Sequence, residues 1–392
     1  MVLDVKKGGV ILKLIKDVEV YSPEYSGKKD LLIGGGKILL IKDKIEFNDE
    51  DIEVIDGQNK KMLPGFIDPH VHITGGGGEG SFKTRVPEIP LSDLTSAGIT
   101  TVVGLLGTDG VTRSVENVLA KAKSLEENGI TALIHTGSYR YPSKTITDSV
   151  QKDVVLIDEI IGAKVAISDH RSSQIGAEEL KFIGSEVRTA GMLADKAGIV
   201  CVHMGDGKKG LGPIIEAVED SELPIQTFAP THINRNESLL AEGFEFLKKG
   251  GIIDLTCGIF DDLSPASVIS KARKKNLPTE NITVSSDGYG SWSSYDEKGN
   301  LLEIGASSVG TLYEEFKSLV SQYDFELEEA LPYFTSNPAK ILKLFPQKGN
   351  IEQGADADLI IADFDLKIDT VLAKGEIMVK NGEIIKRGAY EN

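Results

Sequence analysis

Along the middle of the chain, short apolar runs alternate with stretches whose apolar residues recur every three to four positions. The runs begin near Phe66, Ile99, Thr131, Ala163, Ile199, Ile225, Ile252 and Ile282, about thirty residues apart, the length of one strand–helix–strand unit. Residues 114–127 and 177–196 carry the clearest helical patterns between them. Unbroken apolar runs suit strands buried on both faces, and their alternation with helices makes a parallel sheet. Eight such runs predict a (β/α)8 barrel of the TIM type. An open doubly wound sheet is the alternative, but no Gly-x-Gly-x-x-Gly follows the first strand. Gly75-Gly76-Gly77-Gly78 is no phosphate loop either, because no Lys-Ser or Lys-Thr pair follows it at the required place.

The two ends read differently. Residues 9–15, 31–33 and 38–41 are short strands with a turn at Gly34-Gly35-Gly36-Lys37. Residues 357–361, 370–373 and 377–379 are strands separated by Lys374-Gly375 and Asn381-Gly382. Asn-Gly between apolar runs signals a hairpin. The expected organisation is a small β-sandwich domain built from both termini, residues 1–64 and 347–392, around a barrel spanning 65–346.

Composition narrows the function. A formal charge of −17 opposes binding to nucleic acid or to an anionic membrane, where Lys and Arg must neutralise phosphates. Anionic small molecules then need locally placed arginines. With 40% hydrophobic but only 6% aromatic residues, aliphatic side chains must fill the core. Cys201 and Cys257 lie in apolar runs and read as buried free thiols. No run is long enough to span a bilayer and no signal-peptide core opens the chain, so the cytoplasm is the default expectation.

Chemistry in a barrel of this type sits where strands end at the C-terminal face. The first run closes on Pro69-His70-Val71-His72, which puts both imidazoles on one face and invites a metal ion. Pro69 marks a strand that is ending. The fourth run carries Lys164, the fifth ends in His203, the sixth in His232 and the eighth in Asp287. Four of the chain's six histidines fall at these ends. His135 closes the third run and could join the same shell, while His170 lies in the loop after the fourth. A lysine buried among metal ligands sheds its proton. The neutral amine can then take up carbon dioxide as a carbamate, whose two oxygens can bridge two metal ions; a plain lysine–carboxylate contact is the other reading.

This pattern resembles the binuclear amidohydrolase superfamily, and Asn337-Pro338-Ala339-Lys340 and Gly354-Ala355-Asp356-Ala357-Asp358-Leu359 extend the resemblance to the tail. Within it the chain is most similar to the isoaspartyl (β-aspartyl) dipeptidases. The resemblance implies two zinc ions, with His70, His72 and Asp287 on one, His203 and His232 on the other, and N6-carboxylysine at Lys164 and a hydroxide between them. It implies that Asp287 moves the proton and that Tyr139 polarises the scissile carbonyl. Glu79 would receive the substrate's α-ammonium, Arg171 and Arg235 its carboxylates, and Gly77, Thr108 and Ser291 would complete the pocket. The implied reaction is hydrolysis of small β-aspartyl dipeptides by a homo-oligomer, possibly an octamer. A cyclic amidase such as a dihydroorotase or hydantoinase, an N-acyl amino acid deacylase, and a scaffold that has lost its metals are the competing readings.

Overall fold

The computed structural model describes residues 12–46, 52–259, 261–296 and 298–391, so the first part of the strand expected over 9–15 lies outside the described residues. The middle of the chain contributes β1 (Phe66–Val71), β2 (Ile99–Gly104), β3 (Thr131–Gly137), β4 (Ile160–Ile167), β5 (Ile199–Met204), β6 (Phe228–Thr231), β7 (Ile253–Thr256) and β8 (Ile282–Ser285). All their mutual pairings are parallel. β1 to β6 form one six-stranded sheet in chain order, and β7 pairs with β8 separately. β6 packs beside β7. Val71 at the end of β1 bridges to Gly288, just beyond β8, and the His72 amide donates to the Gly288 carbonyl at 2.9 Å.

All eight strands begin within about three residues of the expected apolar onset. The sixth onset, at Ile225, is a 3-10 turn over Ile225–Thr227, with the Thr227 amide bonded to Pro224 at 2.9 Å. Proline fixes the local φ and favours a turn, so the chain turns over Ile225–Thr227 before the strand begins at Phe228.

Helix Val115–Glu127 starts where Ser114 accepts from the Asn117 amide, and it buries Val115, Val118, Ala122 and Leu125 against the sheet. Such spacing keeps one stripe toward the core. Helix Ala177–Ala194 buries Leu180, Ile183, Val187 and Ala190 in the same way. Among the described residues, no helix is long and apolar enough to cross a membrane.

Both termini build a single nine-stranded sheet. Its join is the antiparallel pairing of Lys61–Pro64 with Leu359–Ala362. Ile15, Val18, Leu31, Met62, Leu359 and Leu372 form its own apolar cluster. The two expected glycine turns have left-handed residues in pairs, with Lys374 and Gly375 at φ 45° and 72° and Asn381 and Gly382 at 54° and 75°. Positive φ at both central positions is what a tight hairpin requires. The Gly65 amide donates to Asp358 at 2.7 Å, tying this sheet to the start of β1.

Candidate active site

His70 lies in β1 and His72 one residue beyond it, both buried. β1 ends at Val71, between the two histidines as expected, with a register irregularity around Pro69 between Asp68 and Val71. The missing amide interrupts the ladder without ending the strand. His70 and His72 place Nε2 at 3.5 and 3.2 Å from Asp287 Oδ1. Asp287 and His232 have φ of 50° and 65°, left-handed backbone that is uncommon outside glycine and gathers at functional sites. Donor atoms of His70, His232 and Asp287 lie within 4.8 Å of one another.

Lys164 is fully buried in β4. Its hydrogen-bond partners among the described residues are His70 Nε2 at 3.2 Å and Cys201 Sγ at 3.6 Å, not a carboxylate. Beside it, Gly137 ends β3 at φ +91°, and a Cβ there would stand 2.6 Å from the Lys164 carbonyl. Only glycine allows β3 that approach.

His203 has both ring nitrogens engaged, Nδ1 with the Tyr139 hydroxyl at 2.6 Å and Nε2 with Asp169 Oδ2 at 3.0 Å. His232 Nδ1 meets Thr256 Oγ1 at 2.7 Å. Burial holds His70, His203 and His232 well below the usual imidazole range, with neighbouring Lys164 or histidine charges adding to the effect. Neutral imidazole is the form that ligates metal. Two buried atoms of the cluster, His72 Nδ1 and Asp287 Oδ1, have no hydrogen-bond partner among the described residues, and a cation coordinated by Asp287 would satisfy that carboxylate oxygen. The donor set therefore fits divalent metal.

Above these groups opens a cavity of about 530 Å³, lined by His72, His203, His232 and Asp287 together with Gly77, Glu79, Thr108, Tyr139, Arg171, Arg235 and Ser291. All seven pocket residues picked out in sequence thus share one space. Ser291 donates to both Glu79 oxygens at 3.1 Å, so in this structure it holds Glu79. Arg171 Nη1 is 3.6 Å from Glu79. Arg235 reaches Asp206 only at 3.7 Å, and its buried Nε has no partner among the described residues. Burial pushes the Tyr139 phenol up.

The other two histidines are elsewhere. β3 runs two residues past His135, which pairs opposite Gly162 and faces a small buried space with Pro69, Cys201 and Asp254. It is beneath the cavity, not on its wall. His170 is mostly exposed, with its ring 4.8 Å from that of Tyr295.

A sequence model of the amidohydrolase family matches residues 62–385. The chain belongs to that family. Among solved amidohydrolases, β-aspartyl dipeptidase from Fervidobacterium islandicum AW-1, crystallised with β-Asp-Leu, is 44% identical, with 97% of this chain and 100% of that one covered at a TM-score of 0.92. Imidazolonepropionase from Colwellia psychrerythraea is 24% identical over 377 residues, 84% of each chain. Dihydroorotase from Clostridium acetobutylicum is 24% identical over 404 residues, 90% of each.

Three contributors to this amidohydrolase site escaped the sequence reading. Asp169 binds both Arg171 and His203; the only hint was an aspartate two residues before a singled-out arginine. Thr256 closes β7, the one late strand whose end had drawn no attention. Arg113 is buried, donating to the carbonyls of Thr74 and Gly76 at 2.7 Å and Val86 at 3.0 Å, and so clasps the glycine loop. Nothing in its local sequence marks it.

Proposed function

We propose that this amidohydrolase cleaves the isopeptide bond of β-aspartyl dipeptides to give aspartate and a free amino acid. The observation that carries the reading is Glu79, anchored by Ser291 and with Arg171 beside it, in one cavity with Arg235 and the histidine–aspartate cluster. A β-aspartyl dipeptide brings one ammonium and two carboxylates, and one anion with two cations matches that count. Cyclic amidases have no ammonium to place, and a scaffold without metals would not keep all six donors. The similarity to the β-aspartyl dipeptidase points the same way.

His70, His72, His203, His232 and Asp287 would hold two divalent ions, with zinc the ion that such nitrogen and carboxylate donors favour. Lys164, buried with no carboxylate partner among the described residues, would join that donor set as its carbamate. When bound, the ions would bring the pKa of water toward about 7 and polarise the scissile carbonyl. Asp287 takes the proton of the attacking water and passes it to the leaving amine. Tyr139 donates its hydroxyl to the developing oxyanion. Gly77 and Thr108 border the aspartyl end. In the same reading the two sets of parallel strands close as one (β/α)8 barrel over 65–346, and the terminal sheet folds over itself as a sandwich of 1–64 and 347–392. A cytoplasmic homo-oligomer completes it, in keeping with two buried free cysteines.

The test is a panel of β-Asp-Leu, α-Asp-Leu, γ-Glu-Leu and dihydroorotate. Turnover of β-Asp-Leu is expected, with kcat/KM falling about a hundredfold in Glu79→Gln, near 3 kcal/mol. Succinyl-leucine, which lacks the ammonium, should respond equally to both enzymes. Turnover of dihydroorotate without β-Asp-Leu overturns the reading.

A further inference from the structure

The geometry points to Asp169 as a positioning residue that fixes, through one carboxylate, both the substrate clamp Arg171 and the ligating nitrogen of His203. The inference rests on the function proposed above for the clamp, but its histidine half stands apart from any substrate.

Asp169 is 6% exposed. Its Oδ1 accepts from the Arg171 amide at 2.8 Å and Nε at 2.9 Å, and its Oδ2 from Arg171 Nη2 at 2.7 Å. This fork-on-fork contact removes the rotational freedom of the guanidinium. Nη1 is left on the cavity side, 3.6 Å from Glu79. The same Oδ2 lies 3.0 Å from His203 Nε2. A carboxylate only accepts, so Nε2 must carry the proton of the neutral ring. The lone pair is then on Nδ1, where the Tyr139 hydroxyl donates to it at 2.6 Å. Nδ1 is therefore the atom left to ligate, with Tyr139 as its holder until then. Carboxylate partners of this kind orient metal-binding histidines generally; here the partner also grips a substrate-binding arginine.

The backbone that carries the carboxylate is itself held from two sides. Gln174 Nε2 donates to the Asp169 carbonyl at 2.7 Å. From the loop after β5, Gly207 donates its amide to Ser168 at 2.6 Å. Gly205 packs so closely that a Cβ would come within 2.5 Å of Asp169 Cβ. The loop that follows His203 thus locks the residue that orients it.

Asp169→Asn separates this role from shape. The amide oxygen can still accept from Arg171, but its NH2 donates to His203 Nε2 and moves the ring proton to Nδ1, much as an Asp-to-Asn change in a catalytic triad selects the wrong tautomer. Nitrogen-15 spectra of labelled histidine in the metal-free protein should show Nε2–H at His203 in the wild type and Nδ1–H in Asp169→Asn. Metal content should fall by about half and KM for β-Asp-Leu rise about tenfold or more. Arg171→Lys should raise KM with metal content unchanged. Circular dichroism checks that Asp169→Asn folds; should it not, Asp169→Glu, which keeps an acceptor, must retain the Nε2–H tautomer. An unchanged tautomer with metal content and KM within about twofold of wild type overturns the proposal. Failure of wild type to turn over β-Asp-Leu would instead overturn the function, with the tautomer still judging Asp169.

Discussion

Two buried polar clusters sit one above the other among the parallel strands, and they are built on opposite terms. In the lower one, Asp254 accepts from the hydroxyls of Thr231 and Thr283 at 2.7 Å and of Ser285 at 2.6 Å. In the upper one, just beyond the ends of β1 and β8, His72 Nδ1 and Asp287 Oδ1 are buried without any hydrogen-bond partner among the described residues. A satisfied cluster rigidifies; an unsatisfied one costs stability and persists where another ligand completes it. The difference separates scaffold from site without appeal to residue type, since both clusters are made of ordinary polar side chains.

The comparison breaks most severely at Lys164, which belongs to the upper set. Lys164→Ala should lose bound metal and at least about a thousandfold in kcat/KM, some 4 kcal/mol. Metal analysis beside a β-Asp-Leu assay checks it, and full activity with full metal would remove Lys164 from the site. Asp254→Ala probes the lower set. Three hydroxyls lose their acceptor, which should cost about 3 kcal/mol of stability, read as a lower urea midpoint, while metal content stays at the wild-type level. Metal loss at an unchanged midpoint would make Asp254 part of the site.

The smallest effect tests the comparison at its exception, His135, a lower residue whose Nδ1, like the upper atoms, has no partner among the described residues. Burial lowers its pKa from 6.5 to about 3. As pH falls below 6.5 the unfolded chain takes up this proton and the native one does not, so stability drops by up to about 1.4 kcal/mol per pH unit until about pH 3. His135→Asn should flatten urea midpoints between pH 7 and 5 by that slope and leave metal content alone. An unaltered slope would mean that the ring is protonated in the fold.

The strands were legible because parallel strands buried on both faces are written as unbroken apolar runs, and the candidate histidine and aspartate donors because they stand at the ends of those runs. The onset at Ile225 comes three residues early because Pro224 sets a 3-10 turn over Ile225–Thr227 before β6 begins at Phe228. The upper cluster's supports were not legible. Asp169 reaches His203 across 34 residues and Ser291 reaches Glu79 across 212, and no local pattern encodes where two loops meet. His135 sits near the end of its strand in sequence, yet two more residues of β3 put it below the cavity.

Arg113 has a consequence for any attempt to redirect this enzyme. Four consecutive glycines leave the chain over 75–78 free to follow many paths, and the guanidinium selects one by gripping the carbonyls of Thr74, Gly76 and Val86. That grip reads backbone and is blind to side chains. The glycine loop and Arg113 are therefore a single transferable part: a graft of the loop alone into another scaffold would carry Glu79 but not the path that aims it.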